Sequence, residues 1–330
     1  MVRRERDGNM TNTIKKNLTG ILIAAGIPLA MFLLVMVMSG GSVKFKQLFS
    51  MITQAILPAI LGWGVMCESK TGIWDFSVGA NVLVCQIIAG NIAKNLGLGV
   101  PGVIVLSMIT GACIGFVIGF VMTKTNIPSI IVSVGAMLLL ESASQILFKG
   151  KGVHFGKSIL KLSIFPNNLI FGICCAVLAY LLYSRLPYGY HVRLIGNNIR
   201  IAKQNGLNIN RIRIQIFTVT GLFCGLYGVL DLGNSGIVTS KSNMASMGII
   251  FNAIICVFIA MSLEKWVNLV IGTFVGSLIA SIIRLAIMIA GGSNSFQNVY
   301  MAAILILIFA IQANGSKVIA LFGKKASHSV

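Results

Sequence analysis

The residues able to make or break bonds are few and poorly placed for it. His154, His191 and His328 stand far apart, and Cys67, Cys85, Cys113, Cys174, Cys175, Cys224 and Cys256 contain no C-x-x-C pair. Neither a metal site nor a redox centre is expected from that spacing. No paired carboxylates and no Ser/His/Asp set at helical spacing occur, which argues against an enzyme. Gly156-Lys157-Ser158 is the nearest approach to a nucleotide loop, but a P-loop needs glycine five positions earlier and Lys151 stands there. The chain is expected to carry no cofactor of its own.

The remaining chemistry is polar contact inside apolar sequence. Asp75, Ser77, Asn126, Glu141, Asp231 and Arg284 lie in or beside long uncharged runs. A charge at the centre of a membrane helix costs roughly 2.5–3.5 kcal/mol on insertion scales, so such residues default to function. Asp75, Ser77, Asn126, Glu141 and Asp231 are therefore candidates for lining a translocation path. Each also has a plainer reading. Asp75 and Ser77 suit a helix N-cap; Asn126 precedes Pro128 and suits the same role. Glu141 and Arg284 are placed to neutralise one another, and Asp231 ends a span facing an outer vestibule. The cysteines, methionines and phenylalanines read as packing residues.

The elements that carry these residues are membrane helices. Of 330 residues, 56% are hydrophobic and 10% charged, with a mean hydropathy of +0.92; a soluble domain carries about 25% charge. A span needs about 20 apolar residues, and period-2 alternation is absent, so helices are expected rather than a barrel. Ten spans are predicted: 18–38, 47–66, 76–93, 100–122, 128–148, 168–184, 214–232, 247–263, 268–290 and 297–313. The first is too long for a signal-peptide core and is read as retained. The fold class is thus an all-α integral membrane protein: a tail (1–17), one transmembrane domain (18–316) and a second tail (317–330). With both termini cytoplasmic, the inner pieces hold 17 Lys/Arg and the outer pieces 8, as the positive-inside rule requires. The net charge of +19 serves topology and lipid headgroups; its scatter over loop ends does not suit nucleic acid.

The halves echo one another. Gly64-Val65 and Gly72-Ile73 recur as Gly228-Val229 and Gly236-Ile237, and Gly111, Gly115 and Gly119 align with Gly272, Gly276 and Ala280. Five spans separate equivalent points, so an inverted repeat is expected, with a path near the bilayer midplane. The polar stretch 185–213 is the long inner loop, with six basic and no acidic residues. Asn197 or Asn198 is placed to cap a short helix from Ile199 to Asn205, with Gly206 as its stop. Such a helix serves either as a docking element for a soluble partner or as a well-ended connection.

This loop resembles the coupling loop of ribose-type permeases of ATP-binding-cassette importers, in which a Gly-Tyr run precedes an Ile-Gly-Gly-Asn turn and an Ala-Arg-x-x-Gly-Ile segment. Gly189, Tyr190, Ile195, Gly196, Asn198, Ala202 and Gly206 stand at the matching places, followed by Gly221, Gly225 and Gly228. Asp75-Phe76-Ser77-Val78-Gly79 and the stretch from Asn126 to Gly135 are similar to two further segments of that family. The likeness covers most of residues 50–315. It departs at Ile73, where the family has glycine, and at Met261-Ser262-Leu263-Glu264-Lys265-Trp266, where the family has a Gly-Gly-Thr-Ser-Leu-x-Gly-Gly turn.

The resemblance implies a plasma-membrane permease that forms a passive path for a small neutral solute such as a monosaccharide. Cytoplasmic ATPase subunits would grip the 185–213 loop through Arg193, Gly196, Asn197, Asn198, Ala202, Lys203 and Gly206. An external solute-binding protein would deliver cargo, and a second permease subunit, identical or divergent, would complete the pair. Nucleosides and branched-chain amino acids are other cargoes of the same machinery. An ion-coupled secondary transporter is the rival from another class, with Glu141 its one good midplane carboxylate.

Overall fold

The computed structural model describes residues 20, 22–40, 44–125, 127–289, 299, 303, 306 and 307. Asn126, both tails and nearly all of the tenth predicted span lie outside the described residues. The described chain is helical, with α1 (Leu22–Met38) followed by α2 (Lys46–Lys70), α3 (Val78–Asn95), α4 (Gly99–Thr125) and α5 (Ser129–Ile146). Next come α6 (Lys157–Ser163), α7 (Asn167–Tyr180), α8 (Pro187–Asn197), α9 (Ile199–Gln204), α10 (Ile209–Ser235), α11 (Met247–Leu263) and α12 (Leu269–Ile289). A two-residue ladder pairs β1 (Val153–His154) antiparallel with β2 (Ile237–Val238).

Helices stand close to where hydropathy put the first nine spans, but they are not nine of a kind. Six, among them α2, α4, α10 and α12, are long and apolar enough to cross a membrane, while α1 and α11 are shorter apolar helices. The exception, α3, is largely enclosed by the others, and its polar side chains bond to neighbours instead of meeting lipid: Gln86 Nε2 donates to the Gly228 carbonyl at 3.1 Å and to Asp231 Oδ2 at 2.8 Å. The expected count of ten spans therefore reduces, among the described residues, to six helices of spanning length and composition.

Packing runs across the halves. The long helix α2 lies against α10, α11 and α12, while α10 lies against α2, α3 and α4. At the crossing of α2 and α10, Thr220 Oγ1 donates to the Gly64 carbonyl at 3.1 Å. The tightest seam joins α4 to α10. A Cβ on Gly221 would overlap the Gly111 carbonyl oxygen, and one on Gly225 would overlap that of Ser107, so backbones touch without intervening side chains. The series at Gly272 and Gly276 meets Ala260 and Cys256 of α11 instead. The two aligned glycine series thus serve non-equivalent neighbours.

The bundle has two distinct ends. At one, β1 pairs with β2, Asn91 Nδ2 donates to the Gly152 carbonyl at 2.8 Å, and Phe49 packs edge-on against Phe165. At the other, Lys70 Nζ meets Glu264 at 2.7 Å and Asn268 Nδ2 donates to Ser184 Oγ at 3.1 Å.

Candidate functional site

A cavity of about 590 Å³ opens among α2, the α6–α7 junction, α10, α11 and α12. Its apolar wall includes Leu57, Pro58 and Leu61; its polar groups include Gln54, Asn168, Tyr227, Asn234, Asn252 and Arg284. Asn168 is buried, and its side-chain oxygen has no hydrogen-bond partner among the described residues. Beyond Leu61 no residue of α2 lines the cavity. Trp63 Nε1 donates to the Val270 carbonyl at 2.9 Å, and Gly62 lies so near Thr273 and Val257 that an added Cβ would stand 2.6 Å from Thr273 Cγ2. The α2 residues lining the cavity run from Met51 to Leu61, so it lies in the half of the bundle away from the Lys70–Glu264 ion pair.

Of the predicted path residues, Asp75, Ser77, Glu141 and Asp231 do not line this cavity, and Asn126 lies outside the described residues. Asp75 Oδ1 accepts from the backbone N–H of Ser77 at 2.8 Å and from its hydroxyl at 2.5 Å, both residues buried at the entry to α3. Asp231 accepts from Gln86. Pairing of Glu141 with Arg284 is overturned: Glu141 accepts from Met244 N at 2.9 Å, Ser246 N at 2.8 Å and Ser246 Oγ at 2.5 Å. Those donors belong to the turn that starts α11, where the first N–H groups of a helix lack intrahelical partners, so Glu141 is neutralised by backbone polarity rather than by a cation. Glu68, unremarked from sequence, is 1% exposed, and neither carboxyl oxygen has a partner among the described residues; the Thr220 hydroxyl beside it donates to Gly64 instead.

The second site is the predicted inner loop, which folds as α8 and α9. Asn198 caps α9: its side-chain oxygen accepts from Arg200 N at 2.9 Å and Ile201 N at 3.2 Å. Gly206, at φ +78°, ends the turn that follows. The predicted residues divide by role. Arg193 reaches back to the Tyr183 carbonyl and lies 5.1 Å over that ring. Gly196 sits on the Lys70 carbonyl, where an added Cβ would come within 2.5 Å, and Ala202 is fully buried. Gly196 thus seats the loop on the end of α2, while Arg193 ties it to Tyr183 and Ala202 packs inward. Asn197, Asn198 and Lys203 are exposed, and they share that face with Ile199, Arg200 and Ile201, which sequence reasoning did not single out. Two isoleucines just before the alanine of so short a helix were the available signal.

The departure at 261–266 also resolves. In place of a glycine turn, α11 ends through backbone bonds from Trp266 and Val267 to Leu263, with Glu264 held by Lys70 of α2. An ion pair fastens what glycines would have left mobile.

A multi-pass helical bundle with a polar cavity in one half, and a separate exposed platform at the end away from it, is the architecture of a membrane transport subunit. The chain belongs to the family described as branched-chain amino acid transport system / permease component, matched over residues 47–309. It is a multi-pass plasma-membrane protein and a component of a transporter rather than an enzyme. It is 25% identical over 297 residues to the ribose import permease protein RbsC of Escherichia coli (strain K12), covering 84% of this chain and 90% of that one. The galactose/methyl galactoside import permease protein MglC of Haemophilus influenzae is 24% identical over 288 residues, 80% of this chain and 85% of that one. The fructose import permease protein FrcC of Rhizobium meliloti is 24% identical over 308 residues, 87% and 84% of the two chains. No solved structure matches the chain.

Proposed function

We propose that this chain is the permease subunit of an ATP-driven importer and forms the path for a small, hydroxyl-rich solute of monosaccharide size. The observation that carries the reading is the pairing of a polar cavity in one half of the bundle with an exposed, capped helix at the end away from it. The ribose, galactose and fructose import permeases among its relatives support the solute class. Two inverted halves are supported by the reciprocal packing of α2 and α10 on each other's halves, and ten spans with both termini cytoplasmic by the excess of Lys and Arg on the inner pieces. In that orientation the cavity lies in the outer half, where a solute-binding protein would release cargo.

The chain holds the outward-facing arrangement through the Trp63–Val270 contact and the Lys70–Glu264 pair. ATPase subunits docking on α9 would push through Gly196 onto the end of α2, the same helix that lines the cavity. Partner closure then biases one of two arrangements against the other. A second permease subunit completes the assembly. Removing residues 196–206 is expected to leave the chain in the membrane at wild-type level while abolishing co-purification of the ATPase subunit. Recovery of the ATPase with that deletion would reject the docking assignment.

A further inference from the structure

The cavity has a cation and no anion. Arg284 is the charged side chain lining it, and Arg284 makes no ion pair or hydrogen bond with any described residue. The sequence shows how unusual this is, because the chain has only seven acidic residues. Five are described and engaged or enclosed elsewhere: Glu264 with Lys70, Glu141 with the start of α11, Asp75 with Ser77, Asp231 with Gln86, and Glu68 buried between α2 and α10. The other two, Glu5 and Asp7, fall within the first seven residues. None of these carboxylates forms an ion pair with Arg284 among the described residues. A guanidinium lining a cavity with no acidic side chain in its wall presents an uncompensated positive charge to whatever enters.

Resting on the importer reading, we infer that Arg284 is the subsite for a carboxylate on the transported solute, which is therefore a sugar acid rather than a neutral sugar. Arginine presents paired N–H groups that match a carboxylate in two parallel bonds. The rest of the lining suits a polyhydroxylated body: Asn168 offers an unpartnered buried acceptor, and Asn234, Asn252 and Tyr227 supply further donors and acceptors. Charge counting narrows the class. A phosphate monoester carries about −1.5 to −2 at neutral pH, more than one guanidinium balances. A zwitterionic amino acid needs an anion for its ammonium, and no Asp or Glu lines the cavity. A monocarboxylate leaves neither surplus. The mouth agrees in sign, since helix ends and connections on that side carry eight lysines against one acidic residue, Asp231, a field that concentrates anions.

The test is uptake of radiolabelled D-galacturonate, D-gluconate, D-galactose and D-ribose by the native cells, by a deletion strain, and by that strain carrying wild-type, R284Q or R284K protein at matched membrane levels. The expected result is that deletion abolishes uptake of a sugar acid, that R284Q lowers it by about tenfold or more, and that R284K retains part of it because the charge is kept. Neutral-sugar uptake is expected to be unchanged throughout. Loss of a neutral sugar on deletion, with R284Q active for it, would overturn the carboxylate subsite and leave the importer reading standing. Equal loss of acid and neutral sugars in R284Q would also overturn it, marking Arg284 as neutralised by a lipid headgroup or a partner subunit. Uptake of all four solutes untouched by deletion would overturn the subsite together with the solute class it rests on.

Discussion

At the scale of single residues, three buried or half-buried carboxylates, Asp75, Glu141 and Asp231, are held by hydrogen bonds from their surroundings. Glu141 is the clearest. It sits in α5 but serves the turn before α11, satisfying two backbone N–H groups and the Ser246 hydroxyl at a point that is fully buried. Leaving a buried donor unpaired costs about 1–3 kcal/mol each. E141A is therefore expected to lower the unfolding temperature in detergent clearly, and E141Q to lower it less, because the amide oxygen still accepts from Ser246. An unchanged melting curve for E141A would contradict this account. Sequence identified Glu141 as too costly to be incidental but could not name its partner, since 103 and 105 positions separate it from Met244 and Ser246. Electroneutrality suggested Arg284; oriented backbone dipoles did the work instead.

At the scale of elements, the small-residue seams decide which helices meet. Between α4 and α10 the backbones touch at Gly111–Gly221 and Ser107–Gly225, so a side chain there has nowhere to go. G221V is expected to abolish the monodisperse detergent peak in size-exclusion chromatography, whereas G135A, whose added Cβ meets nothing within 4 Å, is expected to preserve it. A monodisperse G221V protein would show that the seam can open. The short helix α9 was readable in advance, because its cap at Asn198 and its stop at Gly206 are local chemistry. Its burial pattern was not: that Gly196 rests on Lys70 depends on where α2 ends in space.

At the scale of the whole molecule, sidedness is the property on which function turns. The proposed orientation puts Lys203 of α9 in the cytosol and Lys151, beside β1, outside. With the exposed Cys113 and Cys174 replaced by serine, K203C is expected to react with a membrane-impermeant maleimide only in inside-out vesicles, and K151C only in intact cells. The reverse pattern would invert the molecule and remove the docking role of α9. The cavity belongs to this scale too. Its walls come from helices as far apart in sequence as Leu57 and Arg284, so no local pattern could assemble it.

By itself the sequence determined that this is a helical membrane protein, where most of its helices begin and end, and that its long polar loop carries a capped helix. These follow from composition, hydropathy and capping, which act over a few turns of chain. Only the tertiary structure decided that Arg284, rather than any carboxylate, faces the cavity, and that an ion pair replaces a glycine turn. Which face of an apolar helix meets lipid, a neighbour or an opening depends on close packing across the two halves, and in a uniformly apolar helix no hydrophobic stripe marks that choice.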